Sequence, residues 1–333
     1  AMDGVDSVLE RIVTSAPYSL TTGDFDHAEL LNALLNIDVL QIKDDHLGIA
    51  VPFFLSRDAD VLKELSKKVA NIIAAELLAR KERIADIISQ IDNGFPAERN
   101  LYHILCAYIF DGLMFDYLDE NKLVTTSRIH NSGLDYLVIL YEDSALLNEY
   151  SDMLLCSYNR LTVNGKGFVS FGDSNGNRND FYRYNRQREL NLLSERERQY
   201  MTYPTEVLID KFDRMARGED IERSYVEVFE RFGYCKDGKI VVPVYNTRSY
   251  DIADELYRFI VGIVKEPVGN ALALLQRETR LSAIAHGVDV RDIANEIYHL
   301  IFGETNEILV RSGLVSTPPY YPGEGRYFRS FEQ

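Results

Sequence analysis

A chain of 333 residues with 36 Lys+Arg against 52 Asp+Glu carries a formal net charge of −16. Its length exceeds the usual single-core size and provides for two or three domains, while 46% hydrophobic and 26% charged residues exclude a disordered chain. A chain so acidic does not coat nucleic acid or anionic lipid with its whole surface.

Residues 5–16 place Val5, Val8, Leu9, Ile12 and Val13 at helical spacing. Asp26 can cap a second short helix with Leu30, Leu31, Leu34 and Leu35 on one face. Two short strands, 38–43 and 47–54, follow around the polar tip Asp44-Asp45-His46, with Pro52 near a strand end, where a missing donor is tolerated on an edge. Apolar periodicity then predicts one helix over 58–92, about 50 Å long at the standard rise. A helix of that length packs against another long helix or a second subunit, so an intramolecular helical core and a homodimer seam are both open.

A helix over 101–118 precedes strands at 134–141 and 153–163, and Asn164-Gly165 signals a tight hairpin into 168–171. Asn175-Gly176 makes a second turn into a strand at 180–184. Helices near 205–215 and 221–232 lead to Gly233, the tip Lys236-Asp237-Gly238 and a strand over 239–245. Pro267 interrupts the next helix, which resumes over 268–285, and a last helix covers 291–312. The tail, 318–331, crowds three prolines, two glycines and five aromatics into an irregular segment that wraps onto its own helical region, reaches a second subunit or lines a pocket.

Residues 51–65 read VPFFLSRDADVLKEL and residues 242–256 read VPVYNTRSYDIADEL, a shared V-P-x-[FY]-x-[ST]-R-x-x-D-[VI]-x-x-E-L at a constant offset of 191. Upstream, Lys43-Asp44 and Lys236-Asp237 each precede an apolar strand, with the second copy two residues shorter in between, as expected at a loop tip. Helices followed by a small β-hairpin, in both copies, resemble the winged helix-turn-helix fold over residues 5–56 and 204–247. With the elements read above, the resemblance gives an α+β, helix-rich expectation: two winged-helix-like modules, 1–58 and 199–249, a long helix over 59–93, a central α+β region over 94–198 with a small antiparallel sheet, and a helical C-terminal region, 250–333, ending in the aromatic tail.

A winged helix implies DNA contact through the recognition helix and wing, which needs Lys and Arg against phosphates. Residues 1–58 hold three basic and ten acidic residues, and the helix presumed to recognise DNA has none of the former; residues 204–248 nearly balance, with eight basic against nine acidic. Arg223, Arg231, Lys236, Lys239 and Arg248 lie on the presumed contact elements of the second module. The stretch 177–198 is locally basic and interleaves Arg178, Arg183, Arg186 and Arg188 with Phe181, Tyr182 and Tyr184, suited to phosphate contact and base stacking. The competing reading is a solvated face paired with the protein's own acidic bulk.

Other chemistry is sparse. Asp173, Asn175 and Asn177 open like a calcium loop, but Arg178 and Tyr184 stand where glycine and glutamate are needed. Glu296 and His299 form a lone E-x-x-H without the partners of a di-metal site. The six histidines, His27, His46, His103, His130, His286 and His299, are scattered. No nucleophile elbow, P-loop or zinc-protease motif occurs, and no cofactor is expected. Cys106, Cys156 and Cys235 form neither a CxxC pair nor a disulfide framework, which fits a reducing cytoplasm. No secretory signal is legible, Ala1 reads as a residue added before the initiator Met2, and the longest apolar runs are stopped by Asp111 and by Lys265-Glu266-Pro267, so no membrane span is expected. The expectation is a cytoplasmic winged-helix regulator, homodimeric, binding double-stranded DNA while the central region senses a ligand or partner. The alternatives are an adaptor using both modules for protein contacts and, more weakly, an enzyme with its active site in the central region.

Overall fold

The computed structural model describes residues 4–127, 137–151, 154–198, 203–275, 277 and 280–333. In chain order, α1 (Val5–Thr14) and α2 (Ala28–Asn36) lead into β1 (Leu40–Lys43), β2 (His46–Ile49) and β3 (Phe53–Phe54), then α3 (Ala59–Leu78) and α4 (Lys81–Ile88). α5 (Ala97–Leu101) passes into a π-helical stretch, Tyr102–Leu113, and α6 (Met114–Glu120). β4 (Leu140–Tyr141), α7 (Ala145–Ser151), β5 (Leu155–Val163), β6 (Lys166–Asp173), α8 (Phe181–Glu189) and α9 (Glu195–Arg198) follow. The remainder is α10 (Thr205–Ala216), α11 (Arg223–Arg231), β7 (Cys235–Lys236), β8 (Lys239–Ile240), β9 (Val244–Tyr245), α12 (Thr247–Leu275), α13 (Ser282–Ala285), α14 (Val290–Arg311), β10 (Tyr320–Tyr321) and β11 (Gly325–Glu332). The protein is α+β, with small sheets and several long helices. Among the described residues no helix is long and apolar enough to cross a membrane.

The chain divides into two compact units. The first comprises Ala1–Ile72, Met114–Ser151 and Val264–Ile301. Its hairpin pairs β1 with β2 from Leu40↔Ile49 to Lys43↔His46. The two turn residues, Asp44 and Asp45, both have positive φ (50° and 65°), the geometry that matches strand twist in two-residue hairpins. Val8 and Ile12 of α1 and Leu30, Leu31 and Leu34 of α2 are buried with Leu47 and Ile49 of the hairpin. β3 leaves the hairpin and pairs in parallel with β4.

The second unit comprises Ile73–Leu113, Asp152–Ile263 and Phe302–Gln333. Its sheet runs β10-β11-β6-β5, with β9 added in parallel to β11. Gly172 lets β6 and β11 approach: a Cβ there would stand 2.1 Å from the Arg326 carbonyl oxygen. One face carries an aromatic core of Phe168, Phe181, Phe212, Phe229, Phe232, Tyr234 and Phe331, contributed by the sheet, α8, α10 and α11. The β7–β8 hairpin turns at Asp237 and Gly238, again both at positive φ (51° and 74°). Asn164 and Gly165 repeat that geometry between β5 and β6, as their chemistry predicts.

Several elements differ from expectation. The helix predicted over 58–92 is two helices: Arg80 folds back to donate to the Glu76 carbonyl (2.8 Å) and so closes α3. Pro267 does not end α12, because Val264, Val268 and Leu272 are all buried along one face, and that burial offsets the ~3 kcal/mol a mid-helix proline costs. Residues 180–184 are helix instead of strand, since Asp180 accepts a hydrogen bond from the Arg183 amide (2.8 Å) and caps α8. His27, not Asp26, occupies the cap position of α2. The strand expected over 239–245 splits into β8 and β9, which belong to different sheets. The tail is not irregular: 325–332 is the strand β11, anchored by Arg326 between Asp173 (2.7 Å) and Glu307 (2.6 Å). The strand predicted at 134–141 is described only from 137 onward, and His130, Leu134, Asp135, Tyr136 and Met153 lie outside the described residues.

Candidate functional sites

The basic residues singled out in the sequence separate into two groups. Arg178 is internal. Its guanidinium donates to the carbonyls of Ser170 (3.1 Å), Ser157 (2.9 Å) and Asp173 (2.9 Å), stitching the β5–β6 pair to the loop before α8, and burial lowers its pKa. Arg188 ties α8 to α10 by donating to Asn185, Thr205 and the Tyr203 carbonyl. Arg186 faces solvent and pairs with Glu189 at 3.4 Å, and Arg183 lies over the Tyr184 ring at 5.4 Å. Arg178 and Arg188 therefore knit the second unit together, whereas Arg183 and Arg186 make local contacts along α8.

The other group gathers at the corner of α11 and the β7–β8 hairpin. Lys236 and Lys239 stand opposite each other across the turn. Both are exposed, as is Arg248 at the start of α12, and none of the three makes an ion pair with another described residue. Arg231 ends α11 on an exposed turn. Arg223 is exposed too but is matched by Glu227 (3.4 Å) and Glu230 (3.2 Å). Glu230 also accepts from the Gly238 amide at the hairpin tip (2.8 Å), which fixes the hairpin against α11. The corresponding tip of the first unit reads Lys43-Asp44-Asp45-His46, with one lysine where the second has two.

Two acid–tyrosine clusters carry chemistry whose full set of partners no motif announced. In the second unit, the carboxyl group of Glu332 is 1% exposed; it accepts from Tyr158 Oη (2.6 Å) and Arg160 Nη2 (2.7 Å). His103, on the π-helical stretch, stacks on Tyr245 at 4.3 Å and meets Ser330 Oγ through Nδ1 at 2.9 Å. Burial holds its pKa well below the usual imidazole range, so the ring is neutral, and burial raises Tyr158 well above its ordinary value.

In the first unit, Tyr141 Oη donates to Glu296 Oε1 at 2.5 Å, and His299 Nδ1 lies 3.9 Å from Glu296 Oε2. Burial pushes the Glu296 carboxyl up to about 7 and His299 down to about 4, so an acid able to exchange a proton near neutrality sits beside a neutral imidazole. Glu296 and His299 are the E-x-x-H of the sequence; Tyr141, 155 residues away in the chain, is the partner that spacing could not reveal. Tyr141 also lines a cavity of about 850 Å³ in the same unit, bounded by α1, by Phe53 to Arg57 and by 139–143. Among the described residues its rim carries Asp6, Glu10, Glu142 and Asp143 against one cation, Arg57.

Among the described residues no group of three or more His, Cys, Asp or Glu side chains is placed to hold a metal ion. Cys106, Cys156 and Cys235 are all buried as free thiols, and burial pushes Cys235 up to about 12, away from nucleophilic reactivity. No protein-family model matches the chain, and neither a curated protein nor a solved structure matches it.

Proposed function

We propose that the chain is a winged-helix protein that contacts duplex DNA through its second module, with the β7–β8 hairpin as the wing. The observation that carries this reading is the pair Lys236 and Lys239, exposed, without an ion pair among the described residues and facing each other at a hairpin that Glu230 holds in place. Arg231 and Arg248 flank it. Two to four phosphate contacts of this kind support weak, sequence-independent binding, with log K falling against log salt at a slope of about −2 to −4. Fluorescence anisotropy on a random-sequence duplex tests the reading directly. Binding that weakens with salt on that slope supports it; undetectable or salt-insensitive binding overturns it. Lys236→Ala and Lys239→Ala are each expected to lower the slope by about 1.

A second reading, an adaptor that docks proteins, is favoured by the first module. There Ile42 on β1 is 52% exposed and Ile37 after α2 is 38% exposed, on a segment whose three basic residues face ten acidic ones. The two readings are compatible, since each falls on a different module.

A further inference from the structure

The equivalence at an offset of 191 does not stop at residue 256. α6 ends at Glu120 and α14 at Arg311, each followed by a residue in the left-handed region, Lys122 (φ 57°) and Gly313 (φ 77°), and then by the same dipeptide, Leu123-Val124 and Leu314-Val315. β4 and the last residues of β11 fall at that offset too, and they make the same parallel pairing. In the first unit the Leu140 amide donates to the Pro52 carbonyl and that of Glu142 to Phe54; in the second, Phe331 donates to Pro243 and Gln333 to Tyr245. Ahead of the hairpin tips the offset is 195, and the bonds still correspond. Val39 donates to Leu34 as Tyr234 does to Phe229, and Ala50 donates to Val39 as Val241 does to Tyr234.

The compact units do not follow the two copies. The first unit takes 1–72 and 114–142 from the first copy and its middle segment, 264–301, from the second, together with 143–151, which belongs to neither copy. The second unit takes 192–263 and 302–333 from the second copy and its middle segment, 73–113, from the first, together with 152–191, which belongs to neither copy. The boundaries after Ile72 and after Ile263 are themselves 191 residues apart. The contacts inside each unit show the same crossing. Asp58 accepts from the amide and hydroxyl of Ser282 (3.0 and 2.9 Å), and Thr125 donates to the Arg291 carbonyl (3.2 Å), both within the first unit. Within the second, Tyr245 donates to Asn100 Oδ1 (3.0 Å), and Ser316, the counterpart of Thr125, donates to the Glu98 carbonyl (3.0 Å).

We infer that residues 1–142 and 192–333 are two copies of one ancestral unit that exchange their middle helical segments within a single chain. The segment 143–191, carrying β5, β6 and α8, is an insertion between them. Each unit completes its core with residues from the other copy: Ile293, Ile297 and Ile301 in the first, Ile104, Leu105 and Ile109 in the second. Exchange of an identical element between protomers is a common way for a homodimer to form, and a duplicated gene places both protomers in one polypeptide. The long helices therefore find their partners inside the chain, which removes the reason to require a second subunit.

The test is a protease site inserted between Asn191 and Leu192, both exposed, and cut after the intact protein has folded. The fragments 1–191 and 192–333 are expected to sediment as one species in native buffer, to unfold in one transition and to separate only in denaturant. Two folded species in native buffer overturn the inference. Should the insertion itself prevent folding, a double-mutant cycle on the uninterrupted chain decides. Tyr245→Phe and Asn100→Ala join residues of different copies, so their losses in Tm are expected to be non-additive by about 2–4 °C, and strict additivity overturns the exchange.

Discussion

The same position behaves oppositely in the two units. Residue 141 of the first copy and residue 332 of the second end equivalent parallel strands, yet one is tyrosine and the other glutamate. In the first unit Tyr141 donates to a buried carboxyl on the exchanged helix, Glu296. In the second the carboxyl sits on the strand itself as Glu332, and its donors, Tyr158 and Arg160, come from the inserted hairpin. A tyrosine–carboxyl bond is kept while its polarity reverses. The pairing is thus what burial demands at this place, and which side supplies the acid is free to drift. The insertion also decides how much sheet each copy builds: β3 meets β4 alone among described strands, whereas β9 joins a sheet that β6 and β5 extend.

The largest effect should come from removing the acid where it has two donors. Glu332→Ala strands Tyr158 Oη and half-exposed Arg160 beside a buried gap, and is expected to cost about 3 kcal/mol in urea unfolding. Tyr141→Phe, at the equivalent position, loses one hydrogen bond and is expected to cost about 1 kcal/mol. Equal costs would show that the two clusters are not energetically distinct.

The first cluster is separated further by pH. The unfolded Glu296 releases its proton near 4.5, whereas the folded carboxyl keeps it to about 7. The folded state therefore holds the extra proton, and this residue makes stability fall as pH rises through that window. His299 acts in the opposite direction: unfolded it is protonated up to about 6.5, folded only below about 4, so its contribution is lost as pH falls from 6.5 to 4. In the native protein the two slopes largely cancel between pH 4.5 and 6.5. Glu296→Gln should expose the histidine slope, with stability rising by on the order of 2 kcal/mol from pH 4 to 6.5. His299→Asn should expose the falling one. Chemical denaturation at pH 4, 5.5 and 7.5 reads both, and a flat profile in either variant removes the assigned group.

What the sequence made legible was local. Turn pairs such as Asp237-Gly238 and Asn164-Gly165 specify positive φ by their own chemistry, and helix faces follow from spacing, so most elements of both copies could be read. The failures are long-range. β11 is a strand because β6 lies beside it, and nothing within 318–331 reports that partner. Arg178 looked like a phosphate ligand in a basic stretch, yet carbonyls of β5 and β6 enclose it. Tyr141 and Glu296 are joined only by the fold. The cationic hairpin was legible because its residues are neighbours in the chain, while exposure and the bonds Arg188 makes to Asn185, Thr205 and Tyr203 are what distinguish it from Lys236 and Lys239.

A smaller effect is expected where the copies differ by one residue. Ile109-Phe110-Asp111-Gly112 corresponds in sequence to Ile301-Phe302-Gly303, so Asp111 is an extra residue in the first copy. The first copy is π-helical there and the second α-helical, because i→i+5 bonding takes one more residue into a turn while the flanking turns keep their register. Burial raises the Asp111 carboxyl well above its usual range, so it contributes little as a charge. Deleting Asp111 should convert the stretch to α-helix at a cost near 1 kcal/mol, whereas deleting Phe302 from α14 has no wide turn to absorb it and should cost several times more. Comparable losses from the two deletions, by denaturant titration, would sink the insertion account.

The smallest difference lies at the helix ends. Lys122 and Gly313 occupy the same left-handed position after α6 and α14, and the backbone bonds that close the two ends correspond: Lys122 donates to Asp119 as Gly313 does to Val310. Only the side chain distinguishes them. A Cβ at positive φ is strained, and glycine relieves that strain while adding freedom to the unfolded chain. At a helix C-terminus the first term wins, so Lys122→Gly is expected to stabilise by about 0.5–1 kcal/mol. Gly313→Ala should destabilise by a similar amount for the same reason reversed, since a Cβ built at Gly313 meets nothing within 4 Å and sterics beyond the backbone are absent. The two changes in Tm should be opposite in sign, and a shift of the same sign in both would mean that the copies no longer share this cap.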